Sequence, residues 1–97
     1  MINYEETGNK LIVKPDGALD ALLSPELEKF LKDKYEKFRQ IIFDLKKVDY
    51  VTSAGLRVII QAFKTMKDKD GVVLRNVSDQ VMETLTLTGY IHVLTVE

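Results

Sequence analysis

Short apolar runs and segments of helical periodicity alternate along this chain, and that alternation limits its fold more than any other feature. Residues 40–45 contain a continuous apolar run that is ended by an acid, Asp44, a pattern typical of a strand buried on both faces of a sheet. After Ser53 the apolar residues recur three and four positions apart, which predicts an amphipathic helix. Such alternation favours an α/β layer around a largely parallel sheet. We therefore predict one α/β domain over residues 1–97, with a central, mixed, mostly parallel β-sheet flanked by helices, in the order β-β-α-β-α-β-α-β.

Turn residues define the first two strands. Gly8 and Asn9 both tolerate positive φ, so the turn at residues 7–9 predicts a hairpin between strands at 3–6 and 10–14. This hairpin makes the predicted sheet mixed rather than purely parallel.

Capping residues define the helices. Ser24, followed by proline, predicts the N-cap of a first helix whose apolar stripe continues to Phe38. Ser78 predicts the N-cap of a third helix. The apolar segments at 72–74 and 91–96 predict the last two strands.

Composition excludes several classes of function. The chain has 14 basic and 15 acidic residues, well mixed, and its net charge of -1 argues against nucleic-acid binding driven by phosphate neutralisation. It has no cysteine, so disulfides and cysteine metal sites are excluded and a reducing compartment fits. No apolar run approaches the ~20 residues of a membrane span, and the start MINYEE is not a signal peptide. We expect a cytoplasmic protein, monomeric when free, that binds neither nucleic acid nor membrane.

The sequence offers little for catalysis. A serine nucleophile needs a base and a group that orients that base, and the single histidine, His92, falls in the predicted last strand. Ser53 also lacks the glycine that a nucleophile elbow requires two positions earlier, since Val51 stands there. There is no glycine-rich phosphate-binding motif and no cluster with metal-ligand spacing. We predict no enzyme activity, no cofactor and no metal site.

Ser53 lies where the strand-like approach VDYV gives way to the helical pattern. In one interpretation its side chain is only the N-cap of the helix, worth ~1 kcal/mol. In the other, its hydroxyl accepts a phosphate group, which the helix N-terminus would stabilise. Ala54 and Gly55 have almost no side chains, so a partner's backbone or a kinase active site could approach Ser53 closely.

A second segment is predicted to share this surface. Asp20 follows the second strand and Ser53 follows the third, and the carboxyl ends of parallel strands meet at one edge of a sheet. Ala21, Leu22 and Leu23 continue from Asp20 into a predicted loop. These three apolar residues either cover the end of the core or form an exposed patch that docks a protein.

Two landmarks at the proper separation resemble the STAS domain family. The first combines IFDL at 42–45 with TSAGL at 52–56, and it is similar to that family's apolar-Asp-Leu strand, short loop and Asp-Ser-Ser/Ala-Gly-Leu helix start. The second, GALD at 17–20, is similar to the Gly-x-Leu/Ile-Asp segment that precedes the first helix in the family. In element order and length, essentially the whole chain resembles the small single-domain anti-sigma factor antagonists of the family.

The resemblance implies a function and a site. In such proteins the serine at the position of Ser53 is phosphorylated by the partner anti-sigma factor, which is also an ATP-dependent serine kinase. The unphosphorylated antagonist binds that anti-sigma factor and frees a sigma factor for RNA polymerase, and a metal-dependent serine phosphatase restores it. Asp20 would lie beside Ser53. The implied partner-binding residues are Asp20, Ala21, Leu22, Leu23, Thr52, Ser53, Ala54, Gly55 and Leu56.

Thr52 is a departure from the family pattern, which has an aspartate before the phosphorylated serine. The change removes a negative charge beside the acceptor and adds a second hydroxyl, so Thr52 is a minor alternative to Ser53 as the phosphorylated residue. The runner-up function is a STAS-type signalling module that holds a phosphate or a nucleotide at the Ser53 helix start and has no sigma-factor role.

Overall fold

The computed structural model describes residues 2–97 of the chain. Within that range the five strands are β1 (Ile2–Thr7), β2 (Lys10–Pro15), β3 (Gln40–Asp44), β4 (Gly71–Arg75) and β5 (Thr95–Val96). The helices are α1 (Leu23–Lys32), α2 (Ser53–Met66) and α3 (Asp79–Thr88), and a 3₁₀ turn spans Tyr90–His92. The predicted order β-β-α-β-α-β-α-β is confirmed.

The sheet follows the chain, because the strands lie side by side in the order β1-β2-β3-β4-β5. β1 pairs with β2 antiparallel, and every later pairing is parallel. The hairpin turn has Gly8 at φ 59, in the left-handed region that glycine adopts without strain. The prediction of a mixed, mostly parallel sheet is therefore confirmed.

The three helices pack on one face of this sheet. The connections between consecutive parallel strands all step in the same direction along the sheet. Because such connections are right-handed in nearly all proteins, their helices fall on the same side. The register places Leu11 beside Ile41, and Ile41 beside Val72, on that face. All three are buried in a single apolar cluster, to which the helices contribute Leu27, Leu31, Ile59, Val81 and Leu85. Ile42 points to the opposite face and is still only 4% exposed, so β3 is buried on both faces as predicted.

The first helix begins earlier than the sequence indicated. Asp20 Oδ1 accepts hydrogen bonds from the backbone N–H groups of Leu22 and Leu23, at 2.9 and 3.1 Å. Ser24 therefore lies inside the helix, 2% exposed, and its Oγ has no hydrogen-bond partner within residues 2–97. The prediction of Ser24 as N-cap was wrong because a charged acceptor upstream caps the helix first.

The first helix also ends earlier, at Lys32 rather than near Phe38. Tyr35 and Phe38 still pack against the core, Phe38 at 6% exposure. Their carbonyl oxygens accept hydrogen bonds from Lys69 Nζ, at 2.7 and 3.3 Å. The ammonium of Lys69 thus satisfies two backbone acceptors that lie beyond the end of α1.

The last predicted strand is mostly not a strand. Gly89 stops α3 at φ 83, a 3₁₀ turn follows, and only Thr95–Val96 pairs with β4. His92 therefore lies exposed in that turn, rather than within a strand as expected. The cap of α3 is confirmed, since the N–H of Val81 donates to Ser78 Oγ at 3.2 Å.

Candidate functional site

A short second pairing beyond the carboxyl ends of β2 and β3 joins the two segments singled out in the sequence. Leu19 and Val51 form an isolated parallel bridge. The N–H of Leu19 donates to the carbonyl of Tyr50 at 3.1 Å, and the N–H of Thr52 donates to the carbonyl of Leu19 at 3.0 Å. We call this contact between the two segments the Leu19–Thr52 pairing. Asp20 and Ser53 each follow one of the bonded residues directly, so the two predicted site segments are neighbours.

Gly55 allows the start of α2 to lie against this pairing. A Cβ atom at position 55 would stand 2.5 Å from the carbonyl oxygen of Leu19 and 2.7 Å from its Cβ. Gly55 is buried, and Leu56 beside it is only 7% exposed. The small size of Gly55, which we attributed to the approach of a partner, is thus used inside the molecule.

Thr52, rather than Ser53, occupies the N-cap position of α2, with extended backbone angles of φ -90 and ψ 177. Its hydroxyl donates to the carbonyl of Leu19 at 3.1 Å and makes no capping bond to the helix. Ser53 is already the first helical residue, so the interpretation of its side chain as the cap was wrong. The reason is tertiary: the Thr52 side chain is half-buried and bonded across to the neighbouring segment.

The hydroxyl of Ser53 is exposed at the start of α2 and has no hydrogen-bond partner among the described residues. It opens on a shallow groove of about 390 Å³, whose other lining residues are Leu56, Arg57, Ile60, Lys64 and Tyr90. The first turn of α2 contains no acidic residue. The groove therefore combines an apolar floor with two cations, Arg57 one helical turn from Ser53 and Lys64 three turns away, which favours negative charge in the groove.

Asp20 is fixed rather than free. The backbone N–H groups of Leu23 and Leu22, which donate hydrogen bonds to its carboxylate, hold the pKa of the Asp20 carboxyl below the usual value because they stabilise the ionised form. Its carboxylate is therefore charged at neutral pH. The cap anchors the start of α1 next to the Leu19–Thr52 pairing.

Ala21, Leu22 and Leu23 divide between the two interpretations given to them. Leu23 is half-buried and packs against the core. Ala21 is exposed, and Leu22 is 87% exposed, the highest value among the large hydrophobic residues of the described chain. Leu23 therefore covers the end of the core, whereas Ala21 and Leu22 form the exposed patch.

Arg57, Lys64 and Tyr90 were not identified from the sequence as part of this surface. Arg57 and Lys64 follow Ser53 on the same helix, at about one and three helical turns from it. That spacing places them on the same side of the helix as Ser53 and is the signal that could have identified them. Tyr90 comes from the turn after α3, and no local pattern reveals that contact. Within residues 2–97 no group of three or more histidine, cysteine or acidic side chains is arranged to hold a metal ion. No helix in the same range is long and apolar enough to cross a membrane.

A family model described as the STAS domain matches residues 1–97. The chain belongs to the STAS domain family. One relative is the anti-sigma-B factor antagonist of Bacillus subtilis (strain 168), 28% identical over 89 residues that cover 91% of this chain and 82% of the relative.

Two solved structures are similar to this STAS domain over its full length. The anti-sigma factor antagonist SpoIIAA in its unphosphorylated form has a TM-score of 0.85 at 15% identity, covering 100% of this chain and 88% of that one. SpoIIAA of Bacillus in the phosphorylated form has a TM-score of 0.78 at 14% identity, covering 100% and 91%. These likenesses show that the arrangement of strands and helices is that of the STAS fold.

Proposed function

We propose that this STAS domain is an anti-sigma factor antagonist controlled by phosphorylation of Ser53. Unphosphorylated, it binds an anti-sigma factor that is also a serine kinase, and a sigma factor is freed. Its relatives carry the name of anti-sigma factor antagonists, and the observation that carries the site assignment is the exposed, unbonded hydroxyl of Ser53. A serine phosphatase restores the binding form.

Ser53 is favoured over Thr52 because the two hydroxyls differ in availability. The Thr52 hydroxyl is half-buried and donates to the carbonyl of Leu19 at 3.1 Å. Modifying it would break that bond and force a phosphate toward a carbonyl oxygen, which repels negative charge. Ser53 can be modified with no loss of a described contact.

The proposed partner surface lies on both sides of the Leu19–Thr52 pairing. Leu22 and Ala21 supply exposed apolar area, and Ser53 with half-buried Ala54 supplies the helix start. Asp20 fixes the loop that carries Leu22. Gly55 and Leu56, which the sequence placed in the contact, support it from beneath because both are buried.

Phosphorylation would act on the charge of this surface. In the transfer, the Ser53 Oγ bonds to the γ-phosphorus of ATP held by the kinase, the bond to the ADP oxygen breaks, and the hydroxyl proton passes to a base of the kinase. The domain is the substrate of that reaction rather than its catalyst. The product adds about 1.5 to 2 negative charges where the partner would exclude water. Desolvating that charge costs several kcal/mol, which is a large part of the binding free energy of about 8 kcal/mol that a micromolar complex has.

The test uses an anti-sigma factor kinase from the same organism with Mg-ATP. We expect labelled phosphate on the wild type and on Thr52→Val, and none on Ser53→Ala. Ser53→Ala should still bind the kinase, whereas Ser53→Asp should keep its circular dichroism spectrum and lose binding. If Ser53→Ala is still labelled and adding Thr52→Val removes that label, Thr52 is the phosphorylated residue. Binding of the kinase by Ser53→Asp as tight as by the wild type would contradict the switch.

A phosphate- or nucleotide-binding role without a sigma factor is the second candidate. The groove beside Ser53, with Arg57 and Lys64 on its wall, is the observation that favours it. Thermal unfolding with ATP, GTP and inorganic phosphate distinguishes the two functions. A saturable rise in Tm that Ser53→Ala leaves unchanged would support ligand binding, and an unchanged Tm favours the antagonist.

A further inference from the structure

Arg57 lies one helical turn after Ser53, on the same side of α2. Residues four apart on a helix have Cβ atoms about 5–6 Å from each other, so their side chains meet over the helix surface. Both residues are exposed and line the same groove. The Arg57 guanidinium can therefore reach a group attached to the Ser53 Oγ without any movement of the backbone.

Arg57 has no ion-pair partner in the part of the chain that the structure describes. The ion pairs found there join Lys14 to Glu5, Lys34 to Asp33, Arg39 to Asp70 and Arg75 to Glu97. α2 itself contains no aspartate or glutamate, so no carboxylate on the helix competes for Arg57. A planar guanidinium that is exposed and unpaired matches the geometry of a phosphate, which it can hold through two hydrogen bonds.

We infer that Arg57 receives the phosphate group placed on Ser53, and that this ion pair is the resting position of the phosphate in the modified protein. The inference rests on the proposed function for the presence of the phosphate. It adds what the phosphate contacts afterwards: the phosphate lies along the groove wall and neutralises the cation there. A partner that used Arg57 in the unmodified state would lose that contact and meet negative charge in its place.

The charged groups around Arg57 set the limits of this ion pair. Glu28 of α1 lines the small cavity of about 130 Å³ that Arg57 also borders, but no ion pair joins them. Asp20 lies across the Leu19–Thr52 pairing and is held by two backbone N–H groups. Lys64 lines the far end of the groove, about 16 Å from Ser53 along the helix axis at 1.5 Å per residue. That distance exceeds the screening length of about 8 Å at physiological salt.

The test places phosphoserine at position 53 by genetic encoding, so that no kinase or partner is needed. Phosphorus NMR against pH at physiological salt gives the second pKa of the phosphate, which is about 6 for phosphoserine. We expect this pKa to lie lower in the otherwise wild-type protein than in Arg57→Gln, by about half a pH unit, because the guanidinium stabilises the dianion. The Nε–H resonance of Arg57 should shift through the same titration.

Lys64→Gln is the matched control, since it removes one positive charge from the same helix face beyond the screening length. It should leave the phosphate pKa within about 0.1 of the unsubstituted value. Equal pKa values in Arg57→Gln and the parent would overturn the inference, as would a shift in Lys64→Gln as large as that in Arg57→Gln. Because phosphoserine is installed during synthesis, failure here leaves the kinase assay untouched, and failure of the kinase assay leaves this measurement valid.

Discussion

Gly55→Ala is the substitution that most directly tests how α2 is seated against the Leu19–Thr52 pairing. In an ordinary helix the change stabilises by up to about 1 kcal/mol, because alanine has the higher helix propensity. Here the new Cβ would meet the Leu19 carbonyl oxygen at 2.5 Å and the Leu19 Cβ at 2.7 Å. Both are closer than any ordinary contact, so the helix start or the segment that carries Leu19 must move.

The expected cost follows from what that movement disturbs. Overpacking of a buried site costs about 1–3 kcal/mol. The Leu19 carbonyl also accepts two hydrogen bonds from Thr52, from its N–H and its hydroxyl, at 3.0 and 3.1 Å. Weakening them costs about 1 kcal/mol each. After subtraction of the propensity gain, we expect a net destabilisation of about 3 kcal/mol. For a domain of this size, that corresponds to a Tm lower by about 15 °C.

Differential scanning calorimetry measures the shift, and hydrogen exchange locates it. The amide of Thr52, which donates to Leu19, should exchange faster in Gly55→Ala. Ala54→Gly is the control: it lies next in the chain and half-buried, and it should lose at most about 1 kcal/mol through propensity alone. An unchanged or raised Tm in Gly55→Ala would show that position 55 accepts a Cβ atom without displacing Leu19, contrary to this expectation.

Three further outcomes follow from the structure. Burial and the neighbouring Glu28 raise the pKa of Tyr35 to about 12. In an ultraviolet titration of the tyrosines, Tyr35→Phe should therefore remove the ionisation step at the highest pH. Removal of a step near pH 10 would contradict this. Because the protonated form of Tyr35 is the one favoured by folding, its contribution to stability is present below pH ~10 and lost as the pH rises toward 12. Because the pKa of Asp20 is lowered, its contribution to stability is present above pH ~4 and is lost as the pH falls below that value. Asp20→Ala should therefore lower Tm at pH 7 and lower it much less at pH 3. An equal loss of Tm at both pH values would count against Asp20 as the cap of α1. Lys69→Met removes the donor to two backbone carbonyls and should lower the free energy of unfolding in urea by about 1–2 kcal/mol. The control Lys67→Met, at an exposed position, should leave that free energy unchanged. Equal effects of the two substitutions would count against a stabilising role of the Lys69 hydrogen bonds.

Local patterns were enough to predict most of the fold. The apolar run at 40–45 fixed a central strand, and Gly8 fixed the hairpin that makes the sheet mixed. Ser78 was correctly predicted as a cap, and its hydroxyl accepts from the N–H of Val81 only three residues later. Each of these depends on residues close together in the chain, where periodicity and turn chemistry act.

The errors occurred where contacts from distant segments decided the outcome. Asp20 and Ser24 are both good caps, and the choice depends on which N–H groups are left free when Leu23 packs on the core. The apolar periodicity continues to Phe38, but the helix ends at Lys32, and the carbonyl of Phe38 accepts a hydrogen bond from Lys69 of a distant turn. At the site, the sequence indicated the two segments that meet. It left open the interpretation of Ser53 as the cap of α2, because the bond from Thr52 to Leu19 joins residues 33 positions apart and no local pattern predicts it.

The central claim is that one phosphate on Ser53 separates a binding form from a released form. Isothermal titration calorimetry tests it with two purified samples, the unmodified chain and the chain with encoded phosphoserine at position 53, each titrated with an anti-sigma factor kinase from the same organism. We expect binding of the unmodified chain and a Kd at least about 100-fold weaker for the phosphorylated chain, equivalent to about 2.7 kcal/mol. Equal Kd values for the two samples would contradict it.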